Sequence, residues 1–422
     1  MSQIGNGEGG RSTVVDLRLA SSVMEKEVLE CILNCKRKEN AICKVLVVES
    51  SPAVEKFRNF LSTVSRLQLR VILRNGRLAT RYLISKEAQP NTIMGQQFVD
   101  EYDPFRTEIE MYDTILKEME YLLAEFEDTD DLLWCRMIHY VPYKTIILED
   151  LQARGFNMVD KSFFFDLDHG LMTVHALGKY HALTKVLEER RIFEKDTFKP
   201  WYAFNNVQMQ QFGLMAFQAT LAGIKLHWGP KWTSLVEKVN MSPEILSGKF
   251  KELGEKQLSF NVLCHGDCNK NNIMFKYDWN KRPIQIKLID FQLSFYGSPC
   301  LDLNHIMYCC VDPTVRKTKY DLFMKTYHES LCSYLDIYKF LGDKPSLEDI
   351  IEGMEAYSFL GYWMFINFYP SIALADEMEK YVDIEKIMST GGQEGYNFDL
   401  YKLEWLKESI GPDFEVFVNK FF

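Results

Sequence analysis

The chain has 422 residues, of which 47% are hydrophobic and 26% are charged, and its formal net charge is −10. This length and composition are typical of a globular protein that buries a large core in two lobes or domains. The acidic balance excludes a general nucleic-acid binder, which needs a basic face to release counterions from phosphates. A nucleotide ligand remains open, because one lysine and a bound Mg²⁺ can supply the local positive charge.

Cysteine usage and the apolar stretches favour a cytoplasmic protein without a membrane partner. The ten cysteines are scattered, and their close pairs lack the spacing of zinc sites, so we expect unpaired thiols in a reducing compartment. Residues 1–12 are polar and Gly-rich, without the apolar core of a signal peptide. Residues 356–375 carry no formal charge, but they include polar residues and Pro370. This composition predicts a buried helix that ends near Pro370, and not a membrane span.

The N-terminal part of the chain contains a helical pattern and then the clearest β signal. Residues 1–40 are predicted as a polar tail followed by a helix over residues 16–38. Apolar runs at 67–73 and 78–84 flank Asn75-Gly76, the dipeptide that supplies the positive φ angles of a tight hairpin turn. A β-hairpin is therefore predicted here, and its second strand leads to Lys86.

Helices and one buried strand are predicted after this hairpin. A helical pattern covers residues 105–126, and the run at 145–151 is typical of a buried strand. A further helix is predicted over residues 171–187, with the preceding acidic cluster as its cap. Residues 315–422 have mostly amphipathic helical patterns and complete an α-rich region.

The most informative stretch is 262–274, read with 286–292. An apolar run is followed by the tripeptide His-Gly-Asp, which ends at Asp267 and begins a polar loop. Asn272 follows Asp267 by five residues. A second apolar run ends on Asp290. Kinase-type phosphoryl transfer needs these residue types. One carboxylate orients the attacking hydroxyl, and an Asn and a second Asp hold Mg²⁺. A polar turn between buried strands is the structural alternative.

These motifs resemble the ecdysteroid kinase-like family, also described as CHK kinase-like, which is related to aminoglycoside and choline kinases. The family pattern of His-Gly-Asp, Asn, Asp-Phe-Gln and Leu-Asp-Leu is present at residues 265–267, 272, 290–292 and 301–303. The resemblance covers about residues 55–375. It implies an α+β, bilobal protein-kinase-like fold, with a small β-rich N-lobe over 41–148 and a large, mainly helical C-lobe over 149–422.

The resemblance also implies roles for residues of the N-lobe. Lys86 would bind the α- and β-phosphates of ATP, and Glu108 would hold its ammonium group, with Glu110 as the competing candidate. The backbone from Glu149 to Leu151 would hold adenine at the hinge between the lobes.

The predicted phosphate-covering loop, residues 53–62, departs from the expected composition. Asn59 and Ser62 match the family's Asn-aromatic-x-Ser pattern and are candidate cofactor-binding residues. The loop contains no glycine, whereas such loops are normally Gly-rich so that backbone N–H groups can approach phosphate oxygens.

In the C-lobe the resemblance makes Asp267 the residue that accepts the acceptor hydroxyl's proton, and it makes Asn272 and Asp290 the Mg²⁺ ligands. Asp302 would anchor the catalytic loop. The gap after Asp290 is short and no Ala-Pro-Glu follows, so the chain lacks the segment with which protein kinases present a peptide. The predicted acceptor is therefore a small molecule with a free hydroxyl.

The predicted function is ATP- and Mg-dependent phosphorylation of an ecdysteroid or a hydroxylated xenobiotic. Asn269 stands where the family often has Trp, which affects the choice of acceptor. A non-catalytic nucleotide-binding protein is a second hypothesis, supported by the glycine-free loop. A choline or aminoglycoside kinase is a third, with the same chemistry and a cationic acceptor.

Overall fold

The computed structural model describes residues 13–15, 42–53, 62–88, 103–142, 144–160, 164–199, 207–256 and 258–422. The helix predicted over residues 16–38 lies outside these residues. The chain divides into two compact units, the first formed by Met1–Asp113 with Trp134–Gly155 and the second by Thr114–Leu133 with Phe156–Phe422. The N-terminal region is a β-sheet and the C-terminal part is mainly helical. The lobe boundary between residues 148 and 149 stays a prediction, and the first compact unit extends to Gly155.

Six antiparallel strands form the sheet of the first unit, in the spatial order β1-β2-β3-β4-β6-β5. In chain order they are β1 (Thr13–Val15), β2 (Ile42–Pro52), β3 (Ser62–Leu73), β4 (Leu78–Ala88), β5 (Met137–Val141) and β6 (Thr145–Glu149). Leu69, Val71 and Leu73, which alternate along the second half of β3, are buried. They form the core of the sheet together with residues of β2, β4 and β6. The period-two burial explains why these apolar runs fold as strands.

The predicted hairpin is confirmed as the turn between β3 and β4. Gly76 adopts a φ of 81°, and its N–H donates to the Leu73 carbonyl at 2.8 Å. Both strands extend beyond the predicted runs, and the register pairs Lys86 with Val64 on one side and with Ile146 on the other. Lys86 therefore lies inside the sheet.

The helical pattern over 105–126 is confirmed, with one irregularity. Asp103 caps the first helix, because its side chain accepts from the N–H of Arg106. The segment consists of α1 (Pro104–Glu110), a π-helical turn (Met111–Ile115) and α2 (Leu116–Glu125).

Ten helices follow in the second unit, within the described part of the chain. They are α3 (Leu167–Glu189), α4 (Val207–His227), α5 (Pro230–Val236), α6 (Pro243–Glu255), α7 (Pro299–Cys309), α8 (Pro313–Ile337), α9 (Leu347–Ala356), α10 (Ser358–Leu374), α11 (Ile384–Thr390) and α12 (Glu404–Phe421). The predicted cap of α3 is confirmed, since the Asp166 side chain accepts from the N–H of His169 at 3.0 Å. Helix α3 packs along α8 and is buried over most of its length.

Two small sheets of the second unit position the motif residues. One is formed by β10 (Pro283–Leu288), β9 (Ile273–Tyr277) and β7 (Asn157–Met158), and the other by β11 (Phe295–Gly297) and β8 (Val262–Cys264). The polar loop runs from the end of β8 to the start of β9, through a short 3₁₀ turn at Lys270–Asn272. Because strands fix both ends of the loop, its side chains are held in place.

The prediction of a buried helix that ends near Pro370 was wrong about where the helix ends. Helix α10 is buried as predicted, but it passes through Pro370 and continues to Leu374. Proline removes one N–H donor, and the packing of α10 against α4, α7 and α12 outweighs that loss. None of the helices in the described part of the chain is both long and apolar enough to cross a lipid bilayer.

Two glycine substitutions separate backbone conformation from packing. At Gly76 no atom lies within 4 Å of an added Cβ, so Gly76→Ala is expected to destabilise by about 1 kcal/mol through its positive φ alone. At Gly248, inside α6, an added Cβ also meets nothing, and Gly248→Ala is expected to stabilise by about 0.5 kcal/mol. Thermal unfolding midpoints should move in opposite directions, and a neutral Gly76→Ala would contradict this account of the turn.

Candidate active site

One carboxylate holds the start of the loop between β8 and β9. Asp302, on α7, accepts the N–H of His265 through Oδ2 at 2.7 Å and the N–H of Gly266 through Oδ1 at 3.0 Å. All of these groups are buried. Two successive backbone donors are thereby satisfied by one side chain, which fixes the direction in which the loop leaves β8.

Gly266 is required at its position by both conformation and space. Its φ is 85°, and a Cβ there would lie 1.9 Å from the carbonyl oxygen of Leu293. No other residue type fits without displacing that backbone. The Gly of the His-Gly-Asp motif therefore has a local steric reason.

His265 joins the loop to the segment that carries Asp290. Its Nε2 donates to the carbonyl of Ile289 at 3.0 Å, and its Nδ1 accepts the N–H of Asp267 at 3.3 Å. Burial lowers the pKa of His265, against the pull of nearby carboxylates. A neutral imidazole with its proton on Nε2 satisfies both contacts.

Asp267 and Asn272, predicted to act together, are in direct contact. Asn272 Nδ2 donates to Asp267 Oδ2 at 2.8 Å and to the Asp267 carbonyl at 3.0 Å. Asn269 Nδ2 donates to Asp267 Oδ1 at 2.7 Å. Burial and the charge of Asp290 raise the pKa of Asp267 to about 6, although the two amide donors oppose that rise.

Asp290 adopts an uncommon backbone conformation. Its φ of 67° lies in the left-handed region, and Gln292 Nε2 donates to its Oδ2 at 3.2 Å. A left-handed non-glycine residue in a short turn is costly and is often retained where it directs a side chain. The turn begins directly after Ile289, whose N–H donates to the Asn272 carbonyl at 3.0 Å, so the backbone at Asp290 follows a contact with the loop of Asp267.

Oxygen donors suited to a divalent cation are therefore present. Both amide hydrogen bonds of Asn272 use Nδ2, which leaves its Oδ1 on the other side of the amide as a possible ligand. The Asp290 carboxylate supplies the second hard oxygen, and Mg²⁺ prefers such ligands. Burial first, and then the charge of Asp290, raise the pKa of Asp267, and a bound cation would offset both effects.

A second candidate cluster is explained by internal hydrogen bonds. Potential ligand atoms of His181, Cys264 and Asp302 lie within 4.8 Å of one another and are buried. His181 Nε2 contacts Asp302 Oδ2 at 3.2 Å, and its Nδ1 contacts the Tyr327 hydroxyl at 2.8 Å. Cys264 Sγ donates to the Ser298 carbonyl at 3.3 Å. This cluster anchors the loop and α7.

In the first unit, Lys86 pairs with Glu108 and not with Glu110. Lys86 Nζ lies 2.6 Å from Glu108 Oε2, and both residues are buried. Glu110 is only partly buried. A buried ion pair fixes both side chains, because separating the charges would leave them unsolvated.

The predicted hinge segment continues from β6. The Glu149 N–H donates to the Arg136 carbonyl at 2.9 Å, and its side chain accepts from Arg154 at 2.8 Å. Leu151 is buried, and between them Asp150 accepts from Arg66 at 2.7 Å. The Glu149 N–H is therefore already bonded within the first unit.

Two phosphate-loop candidates have different positions. Ser62 is buried at the start of β3, paired with Ala88. Asn59 lies outside the described residues.

Sequence reasoning did not identify His305. Its Nε2 lies 3.9 Å from Asp267 Oδ1, and burial lowers the pKa of His305 to about 4. The available signal was its spacing, since it follows Asp302 by three residues on a helix and so shares the face that meets the loop.

The comparison with protein families agrees with this arrangement. A buried Lys–Glu pair beside a sheet, and a His-Gly-Asp loop followed by Asn and Asp, are features of kinase-like phosphotransferases. The model of the ecdysteroid kinase-like family matches residues 56–340, more than half of the chain. The chain belongs to the ecdysteroid kinase-like family, whose members are small-molecule kinases. A comparison with curated proteins found no match.

Replacing the loop anchor tests its contribution to stability. Asn at position 302 offers one oxygen, so one of the two N–H groups of the loop would face another donor, and Asp302→Asn is expected to cost about 3 kcal/mol. Burial alone would raise the pKa of Asp302, but the His181 hydrogen bond and the nearby charges hold it below 3.8.

Urea unfolding at several pH values provides the measurement. A lowered pKa means that the stabilisation by Asp302 is present above its ordinary value and is lost as the pH falls through the folded value, below 3.8. The difference between wild type and Asp302→Asn should therefore be constant at neutral pH and shrink only in stronger acid. Equal stability at pH 7 would refute the anchoring role.

Proposed function

We propose that the protein transfers the γ-phosphoryl group of ATP to a hydroxyl on a small molecule, in a Mg²⁺-dependent reaction. The observation that supports this most strongly is the contact of Asp267 with Asn272 in a loop held by Asp302. The residue before Asp290, Ile289, is hydrogen-bonded to the same loop. Family membership supports the same reaction class.

Asp267 has the position of an acceptor-binding carboxylate. Its oxygens are oriented by Asn269 and Asn272, which each donate to one of them. Each carboxylate oxygen has a further lone pair, so Asp267 can also accept from the hydroxyl of a bound acceptor. Such a contact directs the hydroxyl oxygen toward phosphorus and receives its proton during transfer.

Asn272 and Asp290 would hold Mg²⁺ through their oxygens. When bound, Mg²⁺ neutralises charge on the phosphate oxygens of the nucleotide. The chain's own contribution is to fix both ligands, since Asn272 is held by its bonds to Asp267 and Asp290 by its left-handed turn.

Nucleotide binding is assigned to the first unit. Lys86, held by Glu108, would contact the α- and β-phosphates, and the backbone from Glu149 to Leu151 would hold adenine. Asn59 and Ser62 remain candidate contacts of the phosphate-covering loop.

The acceptor is proposed to be an ecdysteroid or a hydroxylated xenobiotic. Only eight residues separate Asp290 from the start of α7 at Pro299, and they form a 3₁₀ turn and the short strand β11. This segment lacks the length with which protein kinases present a peptide, which favours a small acceptor.

The cysteines in the described part of the chain form no disulfide there, which supports a cytoplasmic location.

A non-catalytic nucleotide-binding protein is the second candidate. The glycine-free loop at residues 53–62 favours it, because side chains there restrict the approach of backbone N–H groups to phosphate. Binding of ATP without Mg²⁺, and without transfer to any alcohol, would support this second function.

Substitution of Asp267 tests the proposed reaction. Asp267→Asn removes the proton acceptor and preserves size, so phosphate transfer from Mg·ATP to a panel of steroid alcohols and hydroxylated xenobiotics should fall at least about 10³-fold. Mass spectrometry of the products, watching for the gain of one phosphate, measures it. Asp321→Asn, on the exposed side of α8, removes the same charge and should have no effect.

Transfer by Asp267→Asn at the wild-type rate would contradict the role of Asp267. Absence of transfer by the wild-type protein to every alcohol of the panel, with Mg·ATP still bound, would favour the non-catalytic function.

The Lys86–Glu108 pair makes a separate prediction about nucleotide affinity. Glu108→Gln loses the charge that holds the ammonium group, and the dissociation constant for Mg·ATP should rise about tenfold. Glu110→Gln is the matched control, two residues away on the same helix, and should leave it unchanged. Isothermal titration calorimetry decides between them, and equal affinities for the two variants would count against Glu108.

A further inference from the structure

Helix α7 directs two polar side chains at the catalytic loop. Asp302 binds its backbone, and His305, one helical turn further on, faces the side chain of Asp267. The other polar side chains of this helix have partners elsewhere, since Asn304 donates to the carbonyls of Cys300 and Met354.

The contact between His305 and Asp267 has an unusual length. At 3.9 Å, Nε2 and Oδ1 are too far apart for a direct hydrogen bond. They are close enough for one oxygen atom to lie within hydrogen-bonding distance of both. The imidazole is also neutral, because burial lowers the pKa of His305 to about 4, so the pair is not an ordinary salt bridge.

His305 has no other hydrogen-bonding role among the described residues. Its side chain is 9% exposed, and neither ring nitrogen has a hydrogen-bond partner in the part of the chain that the structure describes. Its ring nitrogens are therefore left for a contact with solvent or with a bound molecule.

We propose that His305 is a second contact of the acceptor hydroxyl, donating from Nε2 to the hydroxyl oxygen while Asp267 accepts the hydroxyl hydrogen. This inference rests on the proposed function and adds a residue to the acceptor site. Two contacts fix the oxygen in two directions, whereas Asp267 alone would leave it free to swing around one hydrogen bond.

The chemical step balances with these two residues. The acceptor oxygen forms the new bond to the γ-phosphorus, and the bond from that phosphorus to the bridging oxygen breaks, so ADP leaves with the electron pair. The hydroxyl proton passes to the Asp267 carboxylate. His305 retains its Nε2 proton throughout and acts by orienting the oxygen.

Two variants of the full chain test the proposal. His305→Phe fills a similar volume without a donor, and His305→Gln places an amide N–H at a reach close to that of Nε2. The first measurement is phosphate release from Mg·ATP without added alcohol, where water takes the place of the acceptor. The second is the affinity for Mg·ATP, by calorimetry.

The expected result is a selective loss. Phosphate release by His305→Phe should fall about tenfold, the value of one hydrogen bond, and His305→Gln should recover most of it. Affinity for Mg·ATP should not change in either variant. With any alcohol that the wild-type protein phosphorylates, KM for the alcohol should rise in His305→Phe and KM for ATP should not.

Three outcomes would overturn the inference. Equal rates for wild type and His305→Phe would exclude His305 from the acceptor site and leave the proposed function intact. Equal losses in both variants, with weakened Mg·ATP binding, would show that His305 only supports packing. Absence of phosphate release and transfer from the wild-type protein, with Mg·ATP bound, would refute the proposed function and this inference together.

Discussion

The candidate site depends on the hydrogen bonds between the Asp302 carboxylate and two successive N–H groups of the loop. These bonds are buried, and His181 holds the same carboxylate from helix α3. A charged acceptor on two neutral donors is among the stronger hydrogen-bond arrangements in proteins. The loop start is thereby fixed to α7 and α3, and Asp267 is the next residue after the anchored Gly266. The position of the reactive carboxylate is thus set by the helical core of the second unit.

This anchoring allows the site to concentrate negative charge. Burial and the nearby Asp290 both disfavour the ionised form of Asp267, and its pKa rises to about 6. A loop without these contacts would change its conformation to move the two carboxylates apart. Here Gly266 fits against the Leu293 backbone and His265 ties the loop to Ile289, so relaxation is blocked. Strain of this kind is typical of sites that bind a cation and phosphate.

Local signals in the sequence predicted the features that depend on neighbours along the chain. Asn75-Gly76 predicted a hairpin because only a few residues can adopt positive φ, and the spacing from Asp267 to Asn272 predicted a contact within one loop. Other features arise from tertiary packing. The π-helical turn at Met111–Ile115 and the continuation of α10 beyond Pro370 have no local sequence signal strong enough to outweigh helix propensity or the proline rule. The choice of Glu108 over Glu110 needed the orientation of a helix toward Lys86.

The residues around Asp267 divide between shared chemistry and specificity. In the proposed reaction Asn272 and Asp290 would hold the cation, a part of the reaction that is the same for every acceptor. Asn269 and His305 face Asp267 from other directions, at 2.7 Å and 3.9 Å from the same oxygen, Oδ1. Asn269 already has partners at both ends of its amide, because its Nδ2 donates to Asp267 and its Oδ1 accepts the N–H of Asn271 at 2.8 Å. Of these two side chains, His305 is therefore the one that would be available to the hydroxyl of a bound acceptor.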